Sequence, residues 1–182
     1  MKTIFQKTAG FTLIELMVVV ALIAIVLGLA APSFQKTIAQ QKLSTAASEL
    51  LVSVMTARSE AIKNNQQTAV SPLVADNWAK GWQIYIDVNR NRTFESNTDT
   101  LISTVEALDT SILQESVSFA NALNPVFAYT PSGFNVSNNA GTVKFKSSII
   151  PSSELVKGVS ISVSGRARIC TIKPDLSDCN NR

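Results

Sequence analysis

The chain has 182 residues, 16 lysines and arginines against 13 aspartates and glutamates, a formal charge of +3, and no histidine. That length accommodates one membrane helix and one modest globular domain, not two large ones. The missing histidine excludes His-based triads, His general bases and His metal ligands at once, and two cysteines are too few for a structural zinc site. With no catalytic, metal or cofactor constellation in view, the chain reads as a non-enzyme.

The first element in chain order is a polar leader, MKTIFQKTAG, carrying Lys2 and Lys7. Behind it comes Phe11 to Ala31, 21 residues with Glu15 as the only formal charge. About 20 apolar residues in a helix cover a bilayer core, so the run is long enough to span. The basic flank places the N-terminus on the cytoplasmic side. A cleaved secretory signal would have a shorter apolar core without an acid and a small-x-small site behind it. A plain membrane anchor leaves Glu15 unexplained, since an ionisable group in an apolar core costs a few kcal/mol and is kept for a partner. Gly10 followed by Phe-Thr-Leu-Ile-Glu resembles the type III leader of type IV pilins and pseudopilins. The resemblance implies cleavage between Gly10 and Phe11 by a prepilin peptidase and N-methylation of Phe11, with the apolar helix retained. It also casts Glu15 as an assembly residue, neutralising the N-terminus of a neighbouring subunit in the filament core. Losing Lys2 and Lys7 takes the 16 basic side chains to 14 against 13 acidic ones, so the mature chain is near neutral at +1. Any claim about nucleic acid therefore needs a local cluster.

Past Pro32 the helix pattern continues with a different character. Leu43, Ala47, Leu50, Val54, Ala57 and Ala61 recur at steps of four and three, one apolar stripe, while Gln40, Lys42, Glu49, Ser53, Arg58 and Lys63 fall largely elsewhere. From Phe11 to Ile62 a single helix would be on the order of 75 Å long, with Gly28 and Pro32 as expected points of kinking. Asn64 and Asn65 end it. From Thr68 the period falls towards two. Residues 68–74 read as a strand that Pro72 confines to an edge or a bulge. Gly81–Val88 alternates, with Trp82, Ile84, Ile86 and Val88 on one face. Shorter strands are expected at 101–105, 117–120, 126–129, 142–146 and 159–172, between Asn/Ser/Gly/Pro-rich turns. The fold class is α+β: a long N-terminal helix whose amphipathic half packs on an antiparallel sheet. The expected segments are a leader at 1–10, a transmembrane and filament-core helix at 11–35, an amphipathic helix at 36–64 and a periplasmic β-rich domain at 65–182.

Ala57-Arg58-Ser59-Glu60-Ala61-Ile62 resembles the ARSEAI signature of the GspH/FimT family, and Gly81-Trp82-x-Ile84-Tyr85-x-Asp87-x-Asn89 matches its strand-and-turn motif. With the leader, the resemblance covers residues 5–100; the region 105–158 carries no motif. It implies a pilin fold and a minor pilin of a type IV pilus, anchored in a bacterial inner membrane with its body in the periplasm. The implied partners are the prepilin peptidase, the inner membrane and other minor and major pilins. A type II secretion pseudopilin is the alternative on the same architecture, and a membrane-anchored periplasmic binding domain is the remoter one.

Three further features carry chemistry. Asp87-Val-Asn89-Arg-Asn91 has the spacing of a calcium loop. It has Arg92 where the loop needs glycine and Thr98 where it needs glutamate, so a turn whose side chains bond their own backbone is expected. Cys170 and Cys179 suit one disulfide in an oxidising compartment, closing a small loop worth roughly 2–3 kcal/mol in the chain-entropy model. In residues 159–170 the odd positions are apolar and the even ones polar. A strand continuing through Gly165 would therefore set Arg166 and Arg168 on one solvent face, about 6.6–7 Å apart. Two guanidiniums so spaced can each fork onto a phosphate, or can simply be a solvated strand face. Gly165-Arg166-Ala167-Arg168 also resembles the G-R-x-R motif of FimT-type minor pilins, which implies DNA binding during uptake through Gly165, Arg166 and Arg168. Lys173 and Arg182 would add to the patch, and Asp175 and Asp178 would partly cancel it.

Overall fold

A computed structural model describes residues 10–120, 125–136, 140–174, 176–177 and 179, with side chains 29–33 and 176–177 outside the description. Among the described residues one helix, α1 (Leu13–Asn64), precedes nine strands: β1 (Thr68–Val74), β2 (Asn77–Ile86), β3 (Thr100–Val105), β4 (Ile112–Phe119), β5 (Phe127–Tyr129), β6 (Gly141–Ser147), β7 (Val156–Ile161), β8 (Ala167–Lys173) and β9 (Leu176–Ser177). The chain divides after Thr37 into two compact units. The helix continues through Gly28 and Pro32.

In the first unit the helix begins at a capping box. The Thr12 N–H donates to Glu15 Oε2 at 2.9 Å, and the Glu15 N–H donates back to Thr12 Oγ1 at 3.3 Å. Thr-x-x-Glu thereby satisfies amide donors that the first helical turn leaves without partners. Beyond the cap the apolar side chains are exposed, from Leu13 through Leu27. Among the described residues no helix is long and apolar enough to cross a membrane, and the described side chains of the apolar run stop at Gly28.

In the second unit the stripe behaves as its spacing demands. Leu43, Ala47, Leu50, Val54, Ala57 and Ala61 are all fully buried, joined by Ala39 and Ala46. All of these but Ala47 enter one core with residues of two antiparallel sheets, ordered β3-β2-β1-β5 and β4-β6-β7-β8-β9. The single sheet expected from the alternation is thus two. The motif-free region 105–158 builds most of the second, and both sheets contribute to the core under α1: Val70, Trp82 and Phe127 from the first, Val143, Phe145 and Val159 from the second. Ser53 lies off the stripe yet is buried, because its Oγ accepts the Trp82 indole N–H at 2.8 Å while donating to Glu49 O at 2.9 Å. A buried indole N–H needs such a partner, so this contact fixes the helix against β2.

Pro72 does what its missing N–H requires. β5 pairs with β1 only over Thr68–Val70, and the β1–β2 register shifts between Pro72 and Val74. The alternation of β2 is buried on both faces around Tyr85. Trp82 and Ile84 face the main core, and Tyr85 packs in a second cluster with Ala69, Val126 and Ala128, its ring centroid 5.3 Å from that of Phe94. At the end of β2 the pattern lapses, and Val88 is exposed.

Residues 159–172 are not one strand. β7 ends at Ile161 and β8 starts at Ala167, and the two pair antiparallel, Ser160 opposite Arg168 and Ile161 opposite Ala167. Between them the chain turns. The Ser162 N–H donates to Arg166 O at 3.0 Å, the Gly165 N–H donates to Ser162 O at 2.9 Å, and Gly165 adopts φ +79°. Val163, expected in the core by parity, is exposed on the turn, and Ser160, expected on the solvent face, is buried.

Candidate functional site

Four places gather the residues that the sequence singles out. At the helix start, Gly10 and Phe11 precede α1 and both are exposed. Glu15 is the third residue of the helix and holds the cap described above. Its carboxylate also accepts the Thr12 hydroxyl at 3.0 Å, so two bonds from one residue converge on Glu15 Oε2. The Thr-x-x-Glu spacing that signals this cap stands in the sequence, but a reading of Glu15 as an assembly residue passes over it.

The loop after β2 is closed by its own side chains. Asp87 is fully buried. Its Oδ1 accepts the Asn91 N–H at 3.1 Å, and its Oδ2 accepts the Arg92 N–H at 2.8 Å and the Gln67 side-chain amide at 2.6 Å. Asn91 Oδ1 accepts the Thr93 N–H at 2.7 Å, and Asp99 takes the Val88 and Glu95 N–H groups at 3.0 and 2.8 Å. Asp87, the one carboxylate in the calcium-loop spacing, is therefore committed to two backbone donors and the Gln67 amide. This is the polar turn that asparagine and aspartate favour by bonding locally.

The third place is the β7–β8 turn. Gly165 is buried, and a Cβ built on it would lie 2.4 Å from Gly133 O and 3.1 Å from the Tyr129 ring. With its positive φ, that contact makes glycine the residue the turn requires. The Tyr129 hydroxyl, buried and shifted towards higher pKa by that burial, donates to Gly165 O at 3.1 Å. Gly165 therefore shapes the turn from inside rather than clearing space for a ligand. Arg166 and Arg168 are both exposed, with Ala167 between them half-buried, so alternation resumes after the turn and keeps the two arginines on one side. Lys173 is exposed at the far end of β8; Asp175, Asp178 and Arg182 lie outside the described residues.

Cys170 and Cys179 form a disulfide across nine residues with Cα atoms 4.8 Å apart, both buried. It ties β8 to the chain beyond β9. Cysteine count alone pointed to this pairing.

The sequence model described as type II transport protein GspH matches residues 46–165, and the one described as the prokaryotic N-terminal methylation motif matches residues 5–31. No curated protein matches the chain. Among solved structures, the type IV minor pilin FimU of Pseudomonas aeruginosa is similar in two crystal forms, each at 19% identity. The first has a TM-score of 0.56 over 71% of this chain and 89% of FimU, the second 0.53 over 69% and 90%. The minor pseudopilin EpsH from the type 2 secretion system of Vibrio cholerae is similar at 12% identity and a TM-score of 0.50, over 74% of this chain and 99% of EpsH. At these identities the likeness establishes the pilin fold.

Proposed function

The chain belongs to the GspH family of type II transport proteins, and from that premise we propose that it is a minor pilin of a type IV pilus. The observation that carries this reading is the helix start. Gly10 and Phe11 stand exposed ahead of a helix whose apolar side chains have no partner from Leu13 to Leu27. An apolar surface of that extent is stable against lipid or against other helices, not in water. The precursor is held in the bacterial inner membrane with residues 11–35 as its span. The prepilin peptidase cuts after Gly10 and methylates Phe11. Residues 36–182 lie in the periplasm, and the subunit joins other minor and major pilins to assemble or prime a filament. Its work is assembly and binding rather than catalysis.

The exposed pair Arg166 and Arg168 favours a pilus that handles DNA over a secretion pseudopilus, which has no use for it. Cations on a strand end meet phosphates and carry no base information, so binding is sequence-independent and weak for one subunit, with avidity from neighbours. The test is a titration of labelled duplex with the processed full-length protein in detergent, wild type against Arg166→Gln/Arg168→Gln, at several salt concentrations. The expected result is salt-dependent binding that the double variant loses. Equal, salt-independent binding by both proteins, or none by either, removes DNA and favours the secretion pseudopilin.

A further inference from the structure

Strand register identifies the face of the second sheet on which the arginines lie. Ala167, between them, packs against the core under α1 and stands opposite Ile161, so Arg166 and Arg168 belong to the other side. Arg168 stands opposite Ser160 on β7, and Ser160 stands opposite Thr142 on β6. Directly opposed residues share a face and successive ones alternate, so Thr142 and, two residues on, Lys144 are on the arginine face. The opposite parity agrees. Val143 and Phe145 enter the core, and Lys157, opposite Phe145, donates to Ser44 Oγ on α1 at 2.8 Å.

Lys144 is half-buried, and among the described residues it makes no ion pair and no hydrogen bond. Lys146 shares its face but is held by Glu115 Oε2 at 2.7 Å. Gly158 stands opposite Lys144, and Cys170 opposite Gly158. Thr142, Ser160, Gly158 and Cys170 therefore put no charge between Lys144 and Arg168. β6 and β8 flank β7. Two strand spacings of about 4.8 Å and two residues of about 3.3 Å rise set the Lys144 and Arg168 Cα atoms roughly 12 Å apart. One DNA strand carries a phosphate every ~3.4 Å of axis, so cations at this separation meet different phosphates and count separately.

We propose that Lys144 is a third phosphate-binding cation on the face that carries Arg166 and Arg168, so that duplex DNA lies across the second sheet from the β7–β8 hairpin to β6. The proposal rests on the nucleic-acid reading above. Each phosphate neutralised on duplex adds about −0.9 to the slope of log K against log salt. Two arginines give a slope of about −1.8, and Lys144 brings it to about −2.7.

The experiment titrates labelled duplex with the processed full-length protein in detergent at five salt concentrations. It compares wild type, Lys144→Gln, Lys144→Arg, Lys146→Gln and Arg166→Gln/Arg168→Gln, with a thermal midpoint for each. Lys144→Gln is expected to weaken binding and flatten the slope by about 0.9 at an unchanged midpoint, and Lys144→Arg to keep the wild-type slope. Lys146→Gln removes the same charge from a lysine that is already paired, and is expected to leave the slope unchanged. If Lys144→Gln keeps the wild-type slope while the double arginine variant loses binding, the proposal fails and the nucleic-acid reading stands without it. Equal flattening by Lys146→Gln makes the effect one of net charge and overturns the contact. Weaker binding of Lys144→Gln with a lowered midpoint that arginine does not rescue makes Lys144 a structural support and also overturns it. Absence of binding by the wild type removes the reading and the proposal together.

Discussion

Under the proposed function Glu15 has two tasks that a single substitution confuses. As the third helical residue it caps Thr12, and as a charge in an apolar stretch it is available to a neighbour's N-terminus. Replacing it by leucine removes both. Glutamine also serves at this position of a capping box, so Glu15→Gln keeps the cap and removes only the charge. If the charge directs assembly, Glu15→Gln and Glu15→Leu are both inserted and processed, and both are missing from sheared filaments. Recovery of Glu15→Gln at wild-type levels would assign Glu15 to capping alone. At this scale the sequence is legible where one residue has one reason to be present. It misleads at Gly165, whose reason is the carbonyl of Gly133, a residue distant in the chain.

Elements were legible wherever a period repeats for long enough. The stripe of α1 and the alternation at the start of β2 place their residues as the spacing requires, because burial against one surface selects every third or fourth, or every second, position. The β7–β8 hairpin was not, because its turn preserves the parity. Ser162, Val163, Ser164 and Gly165 continue the polar–apolar rhythm while the backbone reverses, and only the positive φ at Gly165 marks the change. Connections between elements offer a separate test. Lys42 on α1 donates to Asp109 Oδ2 at 2.7 Å, joining the helix to the segment between β3 and β4. That hydrogen bond first, then those from the Ser111 hydroxyl and N–H, holds the Asp109 carboxyl well below the usual carboxylate range. A carboxyl depressed in the folded state stabilises above its unfolded pKa of about 3.9, and that contribution is lost as pH falls towards the folded value. Both partners are 43% exposed, so the effect is small. The thermal midpoint of Asp109→Asn is expected to lie slightly below wild type at pH 7, and the gap to narrow as pH falls below about 3.9 towards the folded value. A gap that widens on acidification contradicts this account of the pair.

For the whole molecule, the α+β class and the helix-on-sheet arrangement follow from one long helical pattern ahead of many short strands. The number of sheets does not. Strand order depends on pairings such as β4 with β6 and β1 with β5, which join segments far apart in the chain, and period-two alternation carries no information about partners. What the two units share is a division of labour. The unit from Ile38 onward buries its own core, and the described apolar side chains of the unit through Thr37 are exposed. Only an environment supplied from outside stabilises such a surface, and under the proposed function processing at Gly10 commits it to a filament. Intact-mass analysis of protein extracted from membranes tests this most directly. The account predicts a chain lacking residues 1–10 with one methyl group on Phe11, and an uncut precursor for Gly10→Val. A mature chain that begins at Met1, or beyond Ala31, would contradict it.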